Sequence, residues 1–382
     1  MNLYEFQSKR IFSENGIPIP RGRCVESAEE AAQVASEIQR SVVVKAQVLV
    51  GGRGLAGGVR FAENPEETGK VASQILGGMV KGQKTRIVLV EEKLEASSEL
   101  YAGVTYDFRM KCPVIVASSR GGVDIETVAR EHPQDIARIT IDSLRGFSPY
   151  IGRELASEIR LKANVSFQYA NVVAALWHIF KRYDAELVEA NPLAIVGDRL
   201  VALDAKLSLD EKASFRQKDL MDRIEQIPID RLEGFEIRRY RARQMGIPTY
   251  IEMEGNLGVV ADGAGTGMLT LDLIADSAGK TGVYCEMGGE TTMELMENAL
   301  KAVLSVDRTR VVLVNLIGGL NRMDEMAKGI TSYLTKNPTR IPIVVRMSGT
   351  MEEEGRRILR EIEIHAYDDL YEAVQEAVHL SR

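Results

Sequence analysis

The chain is poor in the residues that usually carry covalent, redox or metal chemistry. Its three cysteines, Cys24, Cys112 and Cys285, are odd in number, far apart and without a C-x-x-C spacing. A disulfide framework and a zinc site are therefore not expected, and the thiols read as reduced cysteines of a cytoplasmic protein. Only four histidines are present, and none sits in a Ser/His/Asp or Cys/His arrangement. His132 precedes Pro133, His178 lies beside Lys181 and Arg182, His365 follows the last strand-like run and His379 is near the end. No hydrophobic run approaches membrane-span length. Met1-Asn2-Leu3-Tyr4-Glu5-Phe6 has an early acid and no apolar stretch, so a signal peptide is not expected. The net charge of −7 argues against a nucleic-acid-binding surface. Neither nucleic acid nor membrane is expected as a partner. What remains is a 382-residue chain, 45% hydrophobic and 27% charged, with ample core and room for two or three domains.

Against that background one segment stands out. Gly51-Gly52-Arg53-Gly54-Leu55-Ala56-Gly57-Gly58 follows Val42-Val43-Val44-Lys45 and runs into Val59-Arg60-Phe61. Glycines let backbone N–H groups approach a phosphate without side-chain clash, and a neighbouring lysine adds a point charge. The apolar flanks read as strands, so the order is strand–loop–strand. In that order Gly52–Gly57 is a weak match to a dinucleotide fingerprint, whose glycines must open a helix. A kinase glycine loop has this order, but no His-Arg-Asp and no Asp-Phe-Gly accompany it. Ala278-Gly279-Lys280-Thr281 resembles the end of a P-loop, yet Ile274 occupies the first glycine position and a strand follows. Two readings of Gly51–Gly58 stay open, a nucleotide-covering loop and a flexible surface hairpin. Lys45 beside it favours the first.

The two halves of the chain differ in rhythm. In the N-terminal half a helix is expected over about Asn2–Asn15, stopping at Gly16 with Pro18 and Pro20 beyond. Strands are expected at Val42–Val50, Arg86–Val90, Leu100–Val104 and Val114–Ala117, and an amphipathic helix at Asn171–Tyr183. From about Ile247 the pattern is regular. Strand-like runs end at Ala261, Glu286, Ile317 and Met347, each followed by glycine and then a helix, with a fifth unit from Ile362-Glu363-Ile364 into Asp368–His379. Repeated strand–glycine–helix units imply a doubly wound parallel sheet that binds ligands at its strand ends. Met221–Met245, rich in Arg and Glu, reads as a solvated connector, with a phosphate-holding basic cluster as the alternative.

Counting residues supplies a candidate metal site. Gly197-Asp198 is a two-residue hairpin signal between Glu186–Asn191 and Leu200–Lys206. Counting outward from that turn puts Asn191 opposite Asp204 and Glu189 opposite Lys206, all on one face. Directly opposite Cβ atoms lie roughly 5 Å apart. One Asp and one Asn form the sparse oxygen set that a Mg-nucleotide needs. Pro192 cannot donate to the ladder, which leaves the register open, and an exposed hairpin with incidental polar residues is the alternative.

Taken together, these residues resemble the β subunits of succinate–CoA ligases, within the ATP-grasp superfamily. The likeness covers almost the whole chain. Its carriers are Met1-Asn2-Leu3-Tyr4-Glu5-Phe6-Gln7-Ser8-Lys9, Val44–Val48 with the glycine loop, Gly121-Gly122-Val123-Asp124-Ile125-Glu126, Glu189-Ala190-Asn191-Pro192-Leu193 and Phe215-Arg216-Gln217. Further carriers are Gly255-Asn256-Leu257-Gly258, Asp262-Gly263-Ala264-Gly265, Asn315–Gly319 and Glu352-Glu353-Glu354-Gly355. The resemblance implies an ATP-grasp domain over residues 1–240 and a flavodoxin-like CoA-ligase domain over residues 246–382. It implies that Lys45, Gly52, Arg53 and Gly54 hold the phosphates of ATP or GTP, with Glu91, Leu94 and Glu99 lining the pocket. Asn191 and Asp204 would bind Mg²⁺, and Glu189 would steady a partner's histidine as the catalytic carboxylate. Asp262, Gly319, Leu320 and Asn321 would meet the acid substrate or phosphate, helped by helix N-termini after Gly265 and Gly319. The implied partners are an α subunit carrying CoA and a phosphohistidine, together with succinate or a related acid.

The chain departs from the family pattern at Asp262 (usually Asn), Ala205 (usually Gly), Glu290 (usually Gly) and Val345–Thr350. Carboxylates near a site for a dicarboxylate cost free energy unless a cation or a proton intervenes. Malate–CoA ligase, another acid–thiol ligase and a nucleotide-binding regulatory subunit therefore stay open beside succinate–CoA ligase. A dinucleotide oxidoreductase rests on the glycines alone.

Overall fold

The computed structural model describes residues 1–54, 56–224 and 234–382. The chain forms two compact units, Met1–Glu225 and Gln226–Arg382, each with its own cores.

The first unit contains two antiparallel sheets. The smaller has the order Gly22–Val25, Val88–Glu92, Val42–Ala46, Val59–Ala62. Helices Ala28–Ile38 and Pro65–Ile75 pack on it over Val34, Ala35, Val42, Val44, Ala72 and Val90. Strands Val42–Ala46 and Val59–Ala62 are antiparallel, with Lys45 opposite Val59, so the strand–loop–strand order holds. The first strand ends at Ala46 and not at Val50. Beyond it the Gln47 N–H still reaches the Ile87 carbonyl at 3.0 Å, but the Leu49 N–H turns to the Gln83 side chain and the strand pairing stops.

The larger sheet has the order Arg199–Ala202, Ala185–Val196, Ser98–Asp107, Cys112–Ser118, Ile136–Thr140, and Ala205–Leu209 also pairs with Ala185–Val196. Helix Ala163–Arg182 begins eight residues before the expected Asn171, because Val165 and Tyr169 extend the stripe of Val172, Val173, Leu176 and Phe180 one face further back. The Tyr169 hydroxyl donates to the Tyr101 carbonyl at 2.7 Å, which satisfies a fully buried phenol. The first helix runs Glu5–Glu14 and not from Asn2, since Asn2 is held extended by a bridge to Ser208. It stops before Gly16, whose φ is +80°.

The second unit is one six-stranded sheet in the order Thr249–Glu252, Thr281–Glu286, Leu257–Ala261, Val311–Gly318, Ile343–Gly349, Ala366–Tyr367. All pairs are parallel except the first. Numbered along the chain, the parallel strands run 2-1-3-4-5, the flavodoxin-like order. Buried residues alternate between faces along Val311–Leu316. Val311 and Leu313 join one core, and Val312, Val314 and Leu316 the other. Ile362–Ile364 is not the fifth strand: Glu363 has φ +61°, and the strand is the two-residue Ala366–Tyr367. Ala278–Lys280 forms a turn leading into a strand, which excludes a P-loop there. Arg238 in helix Gly234–Gln244 is tied to Glu252 by bonds of 2.6 and 2.9 Å. Residues 225–233 of the expected connector, and Leu55 of the glycine loop, lie outside the described residues.

Candidate functional site

In the first unit the strand bearing Lys45 and the glycine loop converge on a buried ionic cluster. Arg53 turns its side chain inward. Its Nη1 donates to the Ala46 carbonyl at 3.1 Å, and its Nη2 lies 2.7 Å from Glu5 and 3.0 Å from Asp204. Lys45 Nζ lies 2.9 Å from Glu5, 3.0 Å from Glu91 and 2.6 Å from the Leu203 carbonyl. Lys9 bridges Glu5 at 2.9 Å and Glu91 at 2.6 Å. Three carboxylates thus face three cations.

Burial alone would raise the Glu5 carboxyl, but Lys45, Lys9 and Arg53 outweigh it and hold it well below its usual value. Burial would likewise lower Lys45 and Arg53. Glu5 foremost, with Glu91 and Asp204 for Lys45 and Asp204 for Arg53, keeps both firmly charged. The cluster therefore presents two permanent cations beneath a loop whose Gly52 has φ +68°. That backbone conformation favours glycine, and the Lys81 ammonium lies close by, 2.8 Å from where a Cβ would stand. The cluster is balanced, three cations against three carboxylates, and what suits the loop to a polyphosphate is its glycine backbone with two charged donors beneath it.

The hairpin count is confirmed in register. Val196 pairs with Arg199, Leu193 with Ala202, Ala190 with Ala205 and Glu189 with Lys206. Asn191 and Asp204 stand across from one another at the gap where Pro192 interrupts the ladder. Their side chains, however, turn to different partners. Asn191 Oδ1 accepts the Gly122 N–H at 2.8 Å, and its Nδ2 donates to the Val123 carbonyl at 3.0 Å and to Glu189 at 3.3 Å. Asp204 accepts from Arg53 and from the Ala205 N–H. Gly122 is held close: a Cβ there would lie 2.1 Å from Glu99 Oε2. Glu99 and Asn191 therefore meet at the Gly121–Val123 loop, while Lys45, Arg53, Glu91 and Asp204 meet at the ionic cluster.

Leu94 is half-buried just past strand Val88–Glu92. Burial raises the Glu189 carboxyl, against the opposing pull of Lys206 and Asn191. The Asp204 carboxylate and the Asn191 amide oxygen are hard donors of the kind Mg²⁺ takes, and so fit that ion. Among the described residues no group of three or more His, Cys, Asp or Glu is placed to hold an ion alone.

In the second unit Asp262 and Gly318–Asn321 lie at the carboxyl ends of neighbouring strands Leu257–Ala261 and Val311–Gly318, where the strand order reverses. Asp262 is buried, and its Oδ2 accepts the Ile317 N–H at 2.9 Å. Burial raises this carboxyl, against hydrogen bonds from Ile317 and Asn321 and the nearby charge of Arg346. Asn321 Oδ1 accepts the Thr291 N–H at 3.0 Å. Leu320 is 85% exposed and Gly319 open, so the four residues expected to meet substrate divide into a buried polar pair and an open turn. The expected helix starts move. One helix begins at Ala264, capped by Gly263, ahead of Gly265; the other begins at Met323, since Gly319–Asn321 forms a turn tied to Thr350. Glu290 is exposed in the loop after Glu286.

His132 is half-buried and the other histidines are exposed. Sequence reading gave no role to Glu5, Lys9 or Lys81. A signal for the first two exists: Glu5, Ser8, Lys9 and Phe12 fall on one helical stripe, which puts opposite charges on a buried face.

Comparison with known proteins agrees with this geometry. The ATP-grasp domain model matches residues 2–195 and the CoA-ligase model residues 260–380. The chain is 39% identical to the ADP-forming succinate–CoA ligase subunit beta 2 of Archaeoglobus fulgidus, covering 100% of this chain and 99% of the relative. It is 41% identical to the ADP-forming subunit beta of Desulfurococcus amylolyticus, covering 100% and 99%. It is 38% identical to the GDP-forming subunit beta of Thermus thermophilus, covering 99% and 98%. Among solved structures, ATP citrate lyase from Methanothrix soehngenii in complex with citrate and coenzyme A matches with a TM-score of 0.74 at 19% identity over 99% of both chains, a likeness of fold alone. With the two domains in this order and relatives of one kind matched along its whole length, the chain belongs to the family of succinate–CoA ligase β subunits.

Proposed function

We propose that this chain is the catalytic β subunit of an acid–CoA ligase, with succinate as the acid. Succinate, CoA and a nucleoside triphosphate become succinyl-CoA, the nucleoside diphosphate and phosphate through a phosphohistidine on an α partner. The observation that carries this reading is the convergence of Lys45, Arg53 and Asp204 under the glycine loop, a place for a polyphosphate and its metal. Relatives at 37–41% identity carry the same name.

In this reading Lys45 and Arg53 neutralise phosphate charge, and Gly52 and Gly54 let backbone N–H groups approach it. Glu91, Leu94 and Glu99 bound the pocket. Asn191 and Asp204 hold Mg²⁺, which when bound shields charge on the phosphates. Glu189 orients the partner's histidine, its raised carboxyl suited to sharing a proton with an imidazole. Asp262, Gly319, Leu320 and Asn321 receive the acid or phosphate at the strand ends of the second unit, and the first unit, Met1–Glu225, forms the nucleotide domain; helix Gly234–Gln244, which the expected boundary at 240 would cut, goes with the second unit. The three free thiols suit a reducing compartment, and we place the enzyme in the cytoplasm.

Asp262 favours a second reading. Its buried carboxyl repels a substrate carboxylate but accepts a bond from a hydroxyl, so a 2-hydroxy diacid such as malate is the alternative acid. The test is phosphoryl transfer from labelled ATP with Mg²⁺, using the chain alone and mixed with the family α subunit of its own genome. Label on the α subunit only in the mixture, discharged by succinate and CoA, is the expected result. Discharge by malate alone selects the second reading. No label despite Mg-ATP binding points instead to a regulatory subunit.

A further inference from the structure

Glu5 has no part in the function proposed above, yet its side chain, 1% exposed, is among the described residues the one carboxylate that touches both Lys45 and Arg53. We propose that Glu5 is the positioning residue of the nucleotide site. It clamps the strand lysine and the glycine-loop arginine in one geometry. The inference rests on reading Lys45 and Arg53 as phosphate-binding.

The division of labour inside the cluster carries it. Glu5 Oε1 accepts from Lys45 at 2.9 Å, while Oε2 lies 2.7 Å from Arg53 Nη2 and 3.5 Å from Gln47 Nε2. Lys45 sits on a strand and Arg53 in a loop flanked by Gly51, Gly52 and Gly54. Glycine-rich backbone does not by itself fix where Arg53 goes. Its other anchors are the Ala46 carbonyl, near in sequence, and Asp204, which the proposed metal would claim. Glu5 is thus the charged anchor that persists when Asp204 is engaged. Rigid helix Glu5–Glu14 supplies it, itself fixed by Phe12 in the core and by the Gln7 side chain accepting the Tyr4 N–H.

Lys9 does something different. It bridges Glu5 and Glu91 and balances charge, holding those two carboxylates and not the loop. Charge balance and positioning can therefore be separated by mutation.

Glu5→Gln removes one negative charge and puts an amide N–H₂ where a carboxylate oxygen faced a cation, so donor meets donor. The double variant Glu5→Gln/Lys9→Met restores the balance, leaving Glu91 and Asp204 with Lys45 and Arg53. The experiment measures Mg-ATP affinity by calorimetric titration, and thermal stability, on the full-length chain. The expected result is that the double variant recovers stability relative to Glu5→Gln but keeps a Kd at least about tenfold above wild type, about 1.4 kcal/mol. Lys9→Met alone is expected to bind within about threefold of wild type. Wild-type affinity in the double variant overturns the proposal, as does an equal loss in Lys9→Met. If the glutamine variants do not fold, Glu5→Asp carries the test. It keeps the charge but is one methylene too short to reach both cations, and unchanged affinity there overturns the proposal. Failure of the underlying reading looks different: wild type binds Mg-ATP, and Lys45→Met binds it equally well.

Discussion

At the scale of single residues the nucleotide-site candidates are held by charge, and charge gives testable consequences. Asp204→Ala removes one proposed oxygen donor to the metal and one partner of Arg53. Nucleotide affinity is expected to fall at least about tenfold in Mg²⁺, about 1.4 kcal/mol, and to change little in EDTA. Paired titrations check this, and equal losses in both conditions would assign Asp204 to Arg53 alone. The pH dependence follows from Glu5. Its folded value lies well below the ordinary 4.5, so its contribution to stability is full above that value. It is lost as pH falls from about 4.5 through the depressed folded value. Denaturant midpoints measured through that window are expected to drop more steeply for wild type than for Glu5→Gln. Glu189 has the opposite sign: its raised carboxyl makes ionisation a cost as pH rises past its ordinary value.

At the scale of elements, helix Ala163–Arg182 anchors the larger sheet of the first unit. Leu176 is fully buried on it. Leu176→Ala is expected to cost about 2–5 kcal/mol, and His178→Ala, on the exposed face, close to nothing. Chemical denaturation of the two variants checks the contrast. The same helix marks where sequence was legible and where it was not. Its central stripe from Val172 to Phe180 is strongly periodic, whereas its first turns carry Asn164, Ser166 and Gln168 and look like loop. Strands Leu257–Ala261 and Val311–Gly318 were readable because each is buried on both faces and a glycine marks its end, whereas the last unit has no such glycine and its strand was misplaced. The short strands Gly22–Val25 and Ile136–Thr140 lack such a pattern, and tertiary pairing alone defines them. The hairpin register could be counted, but the directions of the Asn191 and Asp204 side chains could not. Those depend on Gly122 and Arg53, which are remote in sequence.

At the scale of the whole molecule the two units have separate cores, and ligands are expected to act on them separately. Mg-ATP at 100 times its Kd should stabilise the unit that binds it by about 2.7 kcal/mol. Hydrogen exchange is expected to slow in the Lys45 strand, around the glycine loop and in the Ala185–Val196 strand. Strands Leu257–Ala261 and Val311–Gly318 are expected to keep their rates, and equal protection of both units would contradict this.

The parallel sheet of the second unit has a further consequence for association. Its margins are a four-residue strand at one side and a two-residue strand at the other. So short a margin offers few free backbone groups for another chain to pair with, and this blunts fibril-like growth. Strand addition is thereby disfavoured for any subunit that joins this unit, and recognition falls mainly to side chains and turns.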